Sequence, residues 1–237
     1  MNAKPDSKSV QQMFAEIAPR YDFLNHFLSV SIDRQWRKVA VQKTAEYLNG
    51  RSSAMCLDLC SGTGDLALEL NRRLDVLVVA SDFCHPMLVR GLEKVRAAKR
   101  TGTIPVIEAD SLVLPFASGT FDAATVAFGL RNIVDTSAGL AEMRRVLKSG
   151  GAAIVLEFSR PAIPVFRELF EFYFHHILPR LGGLISGQGT AYHYLPASVD
   201  RFPPQKELAK LLETVGFKDV GYRNLSGGIA ALHWGVK

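Results

Sequence analysis

The sequence predicts an α/β fold: a Rossmann-like, mostly parallel sheet of seven strands, covered by helices on both faces and finished by an antiparallel hairpin. Three observations lead there. From about residue 52, short β-branched runs alternate with helical patterns, the sequence form of a parallel sheet. The loop Gly62-Thr63-Gly64 stands directly between the first of these runs and the first helical pattern. At the far end, Lys218–Leu225 and Ile229–Val236 flank Ser226-Gly227-Gly228 and read as a hairpin closing one side of the sheet.

The elements follow in order. Strands are expected at Ala54–Leu59, Leu77–Ser81, Pro105–Glu108, Ala123–Phe128 and Ala152–Phe158. Leu66, Leu68 and Leu70 mark the first helix after the glycine loop, and Met87, Leu88, Leu92 and Val95 the second. Leu140, Met143 and Leu147 belong to a later helix that Gly150 and Gly151 close. Pro204 opens another, with Leu208, Leu211, Leu212 and Val215, and Gly216 is its natural stop. Five parallel strands, a helix and a terminal hairpin is the order of class I methyltransferases, whereas a dehydrogenase sheet ends on another parallel crossover; this comparison is one of fold only. Residues 10–50 and 160–203 stand outside the core. The expected division is therefore a helical segment, 1–50, covering the active site, and a domain, 51–237, carrying an apolar insertion at 160–203.

Composition narrows the class. With 237 residues and 48% hydrophobic content, the chain has enough apolar surface for a sizeable core. Its 28 basic and 23 acidic residues give a net charge of +5 but are scattered, so anionic membrane surfaces fit as well as nucleic acid. Cys56, Cys60 and Cys84 lack the paired spacing of a zinc site or an extracellular disulfide framework. Met1 to Ser9 is polar and charged, and no run of 18 apolar residues occurs, so a cytoplasmic location is expected.

The sharpest motif is Leu57-Asp58-Leu59-Cys60-Ser61-Gly62-Thr63-Gly64-Asp65. Gly62 and Gly64 let the backbone turn tightly around a ligand, and the helix behind them offers unpaired N–H groups. Asp65 at the helix mouth would repel a phosphate, so a zwitterionic methionine end beside a sulfonium is the better guest than a pyrophosphate. Asp82, ending the second strand with Phe83 beside it, can accept hydrogen bonds from two ribose hydroxyls. Asp110 and Ser111 follow the third strand, where class I methyltransferases contact adenine. Asp58, Gly62, Thr63, Gly64, Asp82, Phe83, Asp110 and Ser111 are thus the expected binding residues for S-adenosylmethionine (SAM), with no metal required. Cys60, at a position usually given to glycine, is small enough to fit, and a redox role is not expected.

Further strings resemble one family. Tyr21-Asp22-Phe23-Leu24-Asn25 with Ser29 and Trp36 resembles the N-terminal signature of the menaquinone/ubiquinone biosynthesis C-methyltransferases. Arg145 to Gly151 leading to Glu157-Phe158-Ser159 resembles their second signature, and Phe128-Gly129-Leu130-Arg131-Asn132, Tyr192-His193-Tyr194-Leu195 and Ala231-Leu232-His233 are similar to further stretches. The resemblance runs from about residue 11 to the end. Departures are Leu24 where the family prefers Met, Asp33 where it prefers His, Ser149 where it prefers Pro or Val, and Ala127 where some members have Ser.

The resemblance implies transfer of a methyl group from SAM to a ring carbon of a prenylated quinol, demethylmenaquinol first, with the 2-methoxy-6-polyprenyl-benzoquinol of ubiquinone biosynthesis as the alternative. Such a reaction needs the carbon held opposite the sulfonium and the ring oxyanion stabilised. Arg131 is the first candidate for the oxyanion, or for positioning a water that takes its proton, with Asn132 to orient it. Tyr21 can hydrogen-bond the quinol oxygen or simply pack beside Phe14, Phe23 and Trp36. His193 can act as a general base or be a structural residue between two tyrosines. The stretch Pro161 to Ile185, rich in Phe, Leu and Ile, suits a prenyl channel or peripheral membrane contact, or equally a core helix or homodimer interface. A methyltransferase for a sterol or phenol, and a non-catalytic SAM-binding assembly subunit, are the competing readings; an RNA-binding role finds no basic domain or aromatic stacking string to carry it.

Overall fold

The computed structural model describes residues 7–18, 32–51, 53–161, 168 and 189–237. Its centre is a seven-stranded sheet made of β1 (Met55–Leu59), β2 (Leu77–Asp82), β3 (Val106–Glu108), β4 (Phe121–Ala127), β5 (Leu147–Phe158), β6 (Lys218–Leu225) and β7 (Ala230–Val236). The strand order is β3-β2-β1-β4-β5-β7-β6. β1 to β5 run parallel, and β7 pairs antiparallel with both β5 and β6. The predicted fold class is therefore present, and the second strand of the closing hairpin lies inside the sheet while the first forms its edge.

Successive strand residues feed opposite faces, as a period of two requires. Cys56, Val78, Ala123 and Ile154 join the core on one face, with α2 (Ile32–Leu48), α3 (Asp65–Leu74) and α4 (His85–Ala97). Leu57, Val79, Ala124 and Val155 join the other, with α5 (Thr136–Val146) and α7 (Gln205–Val215). Each side chain of the size of Leu70 or Leu140, fully buried here, contributes about 1.5–3 kcal/mol. β1, β2 and β4 read as largely apolar runs because both of their faces are buried.

Local chemistry sets the helix limits. α3 starts at Gly64 (φ 78°), carries Asp65 in its first turn and Arg72 and Arg73 in its last, and so matches its macrodipole at both ends. The Asp135 carboxylate caps α5 by accepting from the Ala138 N–H. Pro204 and Gly216 bracket α7 as the sequence predicts.

One element differs from expectation. Leu147 is the first residue of β5, paired with Phe121, and α5 stops at Val146. Gly150 and Gly151 do not close a helix; they sit in an irregular stretch of β5, where the register jumps from Phe121↔Leu147 to Ala123↔Ala152. Gly150 has φ 76°, and a Cβ on Gly151 would come within 3.0 Å of the Asp122 and Lys148 carbonyl oxygens. A glycine pair serves a strand bulge as well as a helix stop, and the sequence pattern alone favours the latter.

Two N-terminal helices lean on this sheet. α1 (Ser7–Ile17) packs against α4 and against α6 (Gly189–Arg201), and α2 packs against β5 and α3. Trp36 of α2 donates its indole N–H to Ser226 Oγ at 2.9 Å, and its ring meets Phe128 and Phe158, both at 6.0 Å. Most of the predicted 160–203 insertion, including the apolar stretch Pro161 to Ile185 beyond its first residue and Glu168, lies outside the described residues. Among the described residues, no helix is long and apolar enough to cross a membrane.

Candidate active site

The chain leaves the sheet centre in opposite directions after β1 and β4, and a cleft of about 260 Å³ opens at the C-terminal ends of these strands, as open α/β sheets dictate. The β1–α3 loop forms its floor. Cys60, Gly62 and Gly64 adopt φ values of 49°, 56° and 78°, so the backbone is left-handed at alternate residues. Ser61 N–H donates to the Ser81 carbonyl, which ties the loop to β2.

Two close approaches shape this loop. A Cβ on Gly91 would lie 3.3 Å from the Gly62 carbonyl oxygen, so α4 packs directly on the loop backbone. A Cβ on Gly129 would lie 2.3 Å from Cys60 Cβ. Cys60 is therefore accommodated because residue 129 has no side chain. Burial raises the Cys60 thiol well above its ordinary range, and all three cysteines are free.

The acidic residues divide by role. Asp82 lines the cleft; its Oδ2 accepts from Gly62 N–H at 2.9 Å and its Oδ1 from Cys84 N–H at 2.8 Å. Burial raises its carboxyl above the usual range, against the pull of these N–H groups. Each oxygen still has a lone pair for a ligand hydroxyl. Asp110 and Ser111 also line the cleft; Asp110 Oδ1 accepts from Leu112 N–H, and Ser111 Oγ lies 3.4 Å from Cys60 Sγ. Phe83 and Gly62 complete that wall. Asp58 stands behind it, 1% exposed, accepting from Thr125 Oγ1 at 2.8 Å with Oδ2 unpartnered. Thr63 is buried and its hydroxyl accepts from Lys94 Nζ at 3.2 Å.

On the other wall, Gly129 and Asn132 face the cleft, and Arg131 between them does not. The Arg131 guanidinium donates to Glu157 Oε1 at 2.6 Å, to the Phe128 carbonyl and to Ser198 Oγ, and lies 5.4 Å from the Phe158 ring centroid. Its own backbone N–H reaches the second Glu157 oxygen. The ion pair thus clamps the turn Leu130–Asn132 onto β5. Tyr21 lies outside the described residues, as does the side chain of His193, although its helix α6 is described.

Five residues here escaped the sequence reading of the site. Tyr194 donates its hydroxyl to Asn132 Oδ1 at 3.0 Å, next to the cleft; burial raises its phenol, and Arg131 and Arg201 oppose the rise. It neighbours His193, the candidate of the same string in the sequence reading. Phe14 of α1 lines the cleft, and Gln11 donates to the Phe83 carbonyl at 2.7 Å. Glu157 reaches Arg131 across 26 positions and Arg37 reaches Asp65 across 28, separations that no local pattern reveals. Among the described residues, no group of three His, Cys, Asp or Glu side chains is arranged to hold a metal ion.

The Cys60–Gly129 approach gives a direct test. Gly129→Ala is expected to destabilise the protein by about 1–3 kcal/mol in urea unfolding, the usual cost of forcing extra volume into a packed site. Cys60→Gly in the same chain recovers part of that loss, because the clash needs both Cβ atoms; strictly additive costs would show that the two residues do not meet.

Known proteins resemble this chain over nearly its whole length. The ubiE/COQ5 methyltransferase family profile matches residues 1–237. The Citrifermentans bemidjiense protein named ubiquinone/menaquinone biosynthesis C-methyltransferase UbiE is 46% identical over 230 residues, covering 96% of each chain. The Thermus thermophilus protein named demethylmenaquinone methyltransferase is 46% identical over 224 residues, covering 94% of this chain and 99% of its own. Among solved structures, the [4+2]-cyclase SpnF aligns with a TM-score of 0.73 at 16% identity over 98% of this chain and 97% of its own. A SAM-dependent methyltransferase from Aquifex aeolicus aligns with a TM-score of 0.55 at 16% identity, covering 86% and 97%. The structural likenesses speak for the fold alone; the sequence matches span the glycine loop, the strand-end acids and the Arg131 turn together, and the chain belongs to the ubiE/COQ5 methyltransferase family.

Proposed function

We propose that this protein transfers the methyl group of SAM to a ring carbon of a prenylated quinol, converting demethylmenaquinol to menaquinol. The observation that carries the reading is that Asp82 at the end of β2, Asp110 and Ser111 after β3, and Asn132 in the turn after β4 line one cleft in a chain of this family. The names of the relatives support a quinol substrate, and some cover both the menaquinone and ubiquinone pathways. The corresponding benzoquinol of ubiquinone biosynthesis is therefore the second acceptor to test.

SAM supplies an activated methyl group, and the residues of this chain hold and orient it. Asp82 takes the ribose hydroxyls, Asp110 and Ser111 the adenine edge, and Phe83 the face of its ring. Gly62 and Gly64 let the loop backbone approach the methionine portion, and Thr63 fixes the loop through Lys94. Asp58 offers its unpartnered oxygen to the ammonium group. On the acceptor side, Asn132, held by Tyr194, donates its amide to the quinol oxygen, and the buried Arg131–Glu157 pair one residue behind fixes the turn that presents it. Tyr21 and His193 are the further candidates for the oxygen and its proton. The 1–50 segment acts as the cover: α1 already contributes Phe14 to the cleft wall. No metal enters this scheme, and peripheral contact with the inner face of the membrane would bring the lipid substrate to the cleft.

Labelled SAM offered with reduced demethylmenaquinone, and separately with the 2-methoxy-6-polyprenyl-benzoquinol, is expected to label the first more efficiently; label in neither would reject the function. In the same assay Arg131→Ala is expected to lose turnover by about a hundredfold or more while still binding SAM, and unchanged turnover would remove Arg131 from the mechanism.

Asp58 makes binding depend on pH. Burial pushes its carboxyl up to about 7; the Thr125 hydroxyl, the Ala67 N–H and Arg37 oppose the rise, and Asp82 adds to it. An ammonium beside Asp58 favours the ionised form, so below that value binding must first expel a proton. SAM affinity is expected to rise with pH through about 7 and level off above it, and Asp58→Asn to flatten the profile in calorimetric titrations. The raised value also fixes the sign for folding: Asp58 favours the folded state below its unfolded pKa of about 3.9, and that contribution disappears as pH climbs to about 7.

A further inference from the structure

Beyond Gly62 from the main cleft is a recess of about 40 Å³, whose polar lining comes from Arg37, Asp58, Ser61, Thr63 and Asp65. It shares Cys60, Gly62, Ala127 and Phe128 with the cleft, so the two adjoin along the β1–α3 loop. A water-sized group needs roughly 10–15 Å³ of such space, so the recess has room for about three: an ammonium and the two oxygens of a carboxylate.

Its walls are unfinished as they stand. Asp58 Oδ2 and Ser61 Oγ are buried with no hydrogen-bond partner, an arrangement that native proteins leave only for a purpose. Arg37, 8% exposed, reaches the recess from α2, one residue after the Trp36 that pins this helix to Ser226. Its bonds to Asp33 and Asp65 both come from Nη2. A guanidinium carries five N–H donors, so those of Nε and Nη1 remain for a ligand. Lys94 also binds Asp65 and donates to Thr63 Oγ1, so the two cations balance Asp33 and Asp65. One wall thus offers an open guanidinium edge and another an open carboxylate oxygen, the complement of an α-amino acid zwitterion.

We propose that Arg37, assisted by the Ser61 hydroxyl, receives the α-carboxylate of the methionine end of SAM, and that this contact couples the seating of α2 to occupation of the site. The proposal rests on SAM being the methyl donor. Holding the carboxylate on α2 and the adenosine on β2 and the loop after β3 stretches the ligand across the glycine loop, with its sulfonium at the mouth of the main cleft.

The test compares equilibrium binding of SAM with that of decarboxylated SAM, which keeps the adenosine, sulfonium and ammonium and lacks only the carboxylate. The wild-type protein is expected to prefer SAM by about tenfold or more, the worth of a hydrogen-bonded charge pair. Arg37→Gln is expected to shrink that preference to about twofold or less while leaving affinity for the decarboxylated analogue nearly unchanged. Equal loss for both ligands would mean that Arg37 only holds α2 in place, and would overturn the proposal, as would an unchanged preference. If Arg37→Gln fails to fold, Arg37→Lys keeps a cation between Asp33 and Asp65 but not the planar fork, and a preference reduced below that of wild type supports the same assignment. Wild-type protein that binds neither ligand would instead reject SAM as the donor, a failure distinct from that of Arg37.

Discussion

The β1–α3 loop can hold its shape only where neighbouring backbones come close enough to touch it, and most of the site depends on that constraint. Gly91 brings α4 against it from one side and Gly129 brings the β4 turn against Cys60 from the other. The Asp82 carboxylate then bonds Gly62 N–H and Cys84 N–H together, fastening the ends of β1 and β2 to each other. Burying that carboxylate is unfavourable without partners, and the two N–H groups that satisfy it are the ones that define the floor of the cleft. Fold and site are therefore built from the same bonds.

Much of this was legible in the sequence because it is local. A glycine loop between an apolar run and a helical pattern, and an acid closing each of three successive strands, are readable at fixed spacing, and Asp82, Asp110 and Ser111 do meet at one cleft. Gly150 and Gly151 misled because left-handed backbone serves a helix end and a strand bulge alike, and only the partner strand decides. Arg131 was visible as a charged residue at a strand end, but not the Glu157 that holds it, 26 positions away. Tyr194 required the rotation of α6, which its short surrounding string does not supply. Arg37 required knowing that α2 folds back over the glycine loop, a fact of tertiary packing alone.

The likeness to SpnF marks the limit of fold as a guide. A chain described as a [4+2]-cyclase aligns over nearly all of this one, at 16% identity, so the sheet and its helices are compatible with chemistry other than methyl transfer. Chemistry on such a fold is set by side chains at the strand ends. The Arg131–Glu157 pair, buried at 6% and 1% side-chain exposure, is one such feature, since breaking either half would leave a charge stranded beside the cleft wall.

The bond from Trp36 to Ser226 spans 190 positions. During synthesis the ribosome releases α2 long before the turn between β6 and β7 exists, so this helix waits without its anchor until nearly the whole chain has emerged. The parallel strands in between can pair earlier, whereas this contact waits for the turn after β6 and closes a loop of 190 positions. A nascent chain stalled short of its hairpin would therefore hold its parallel strands with a flanking helix seated through the Trp36 ring on Phe128 and Phe158, its indole N–H without the Ser226 acceptor.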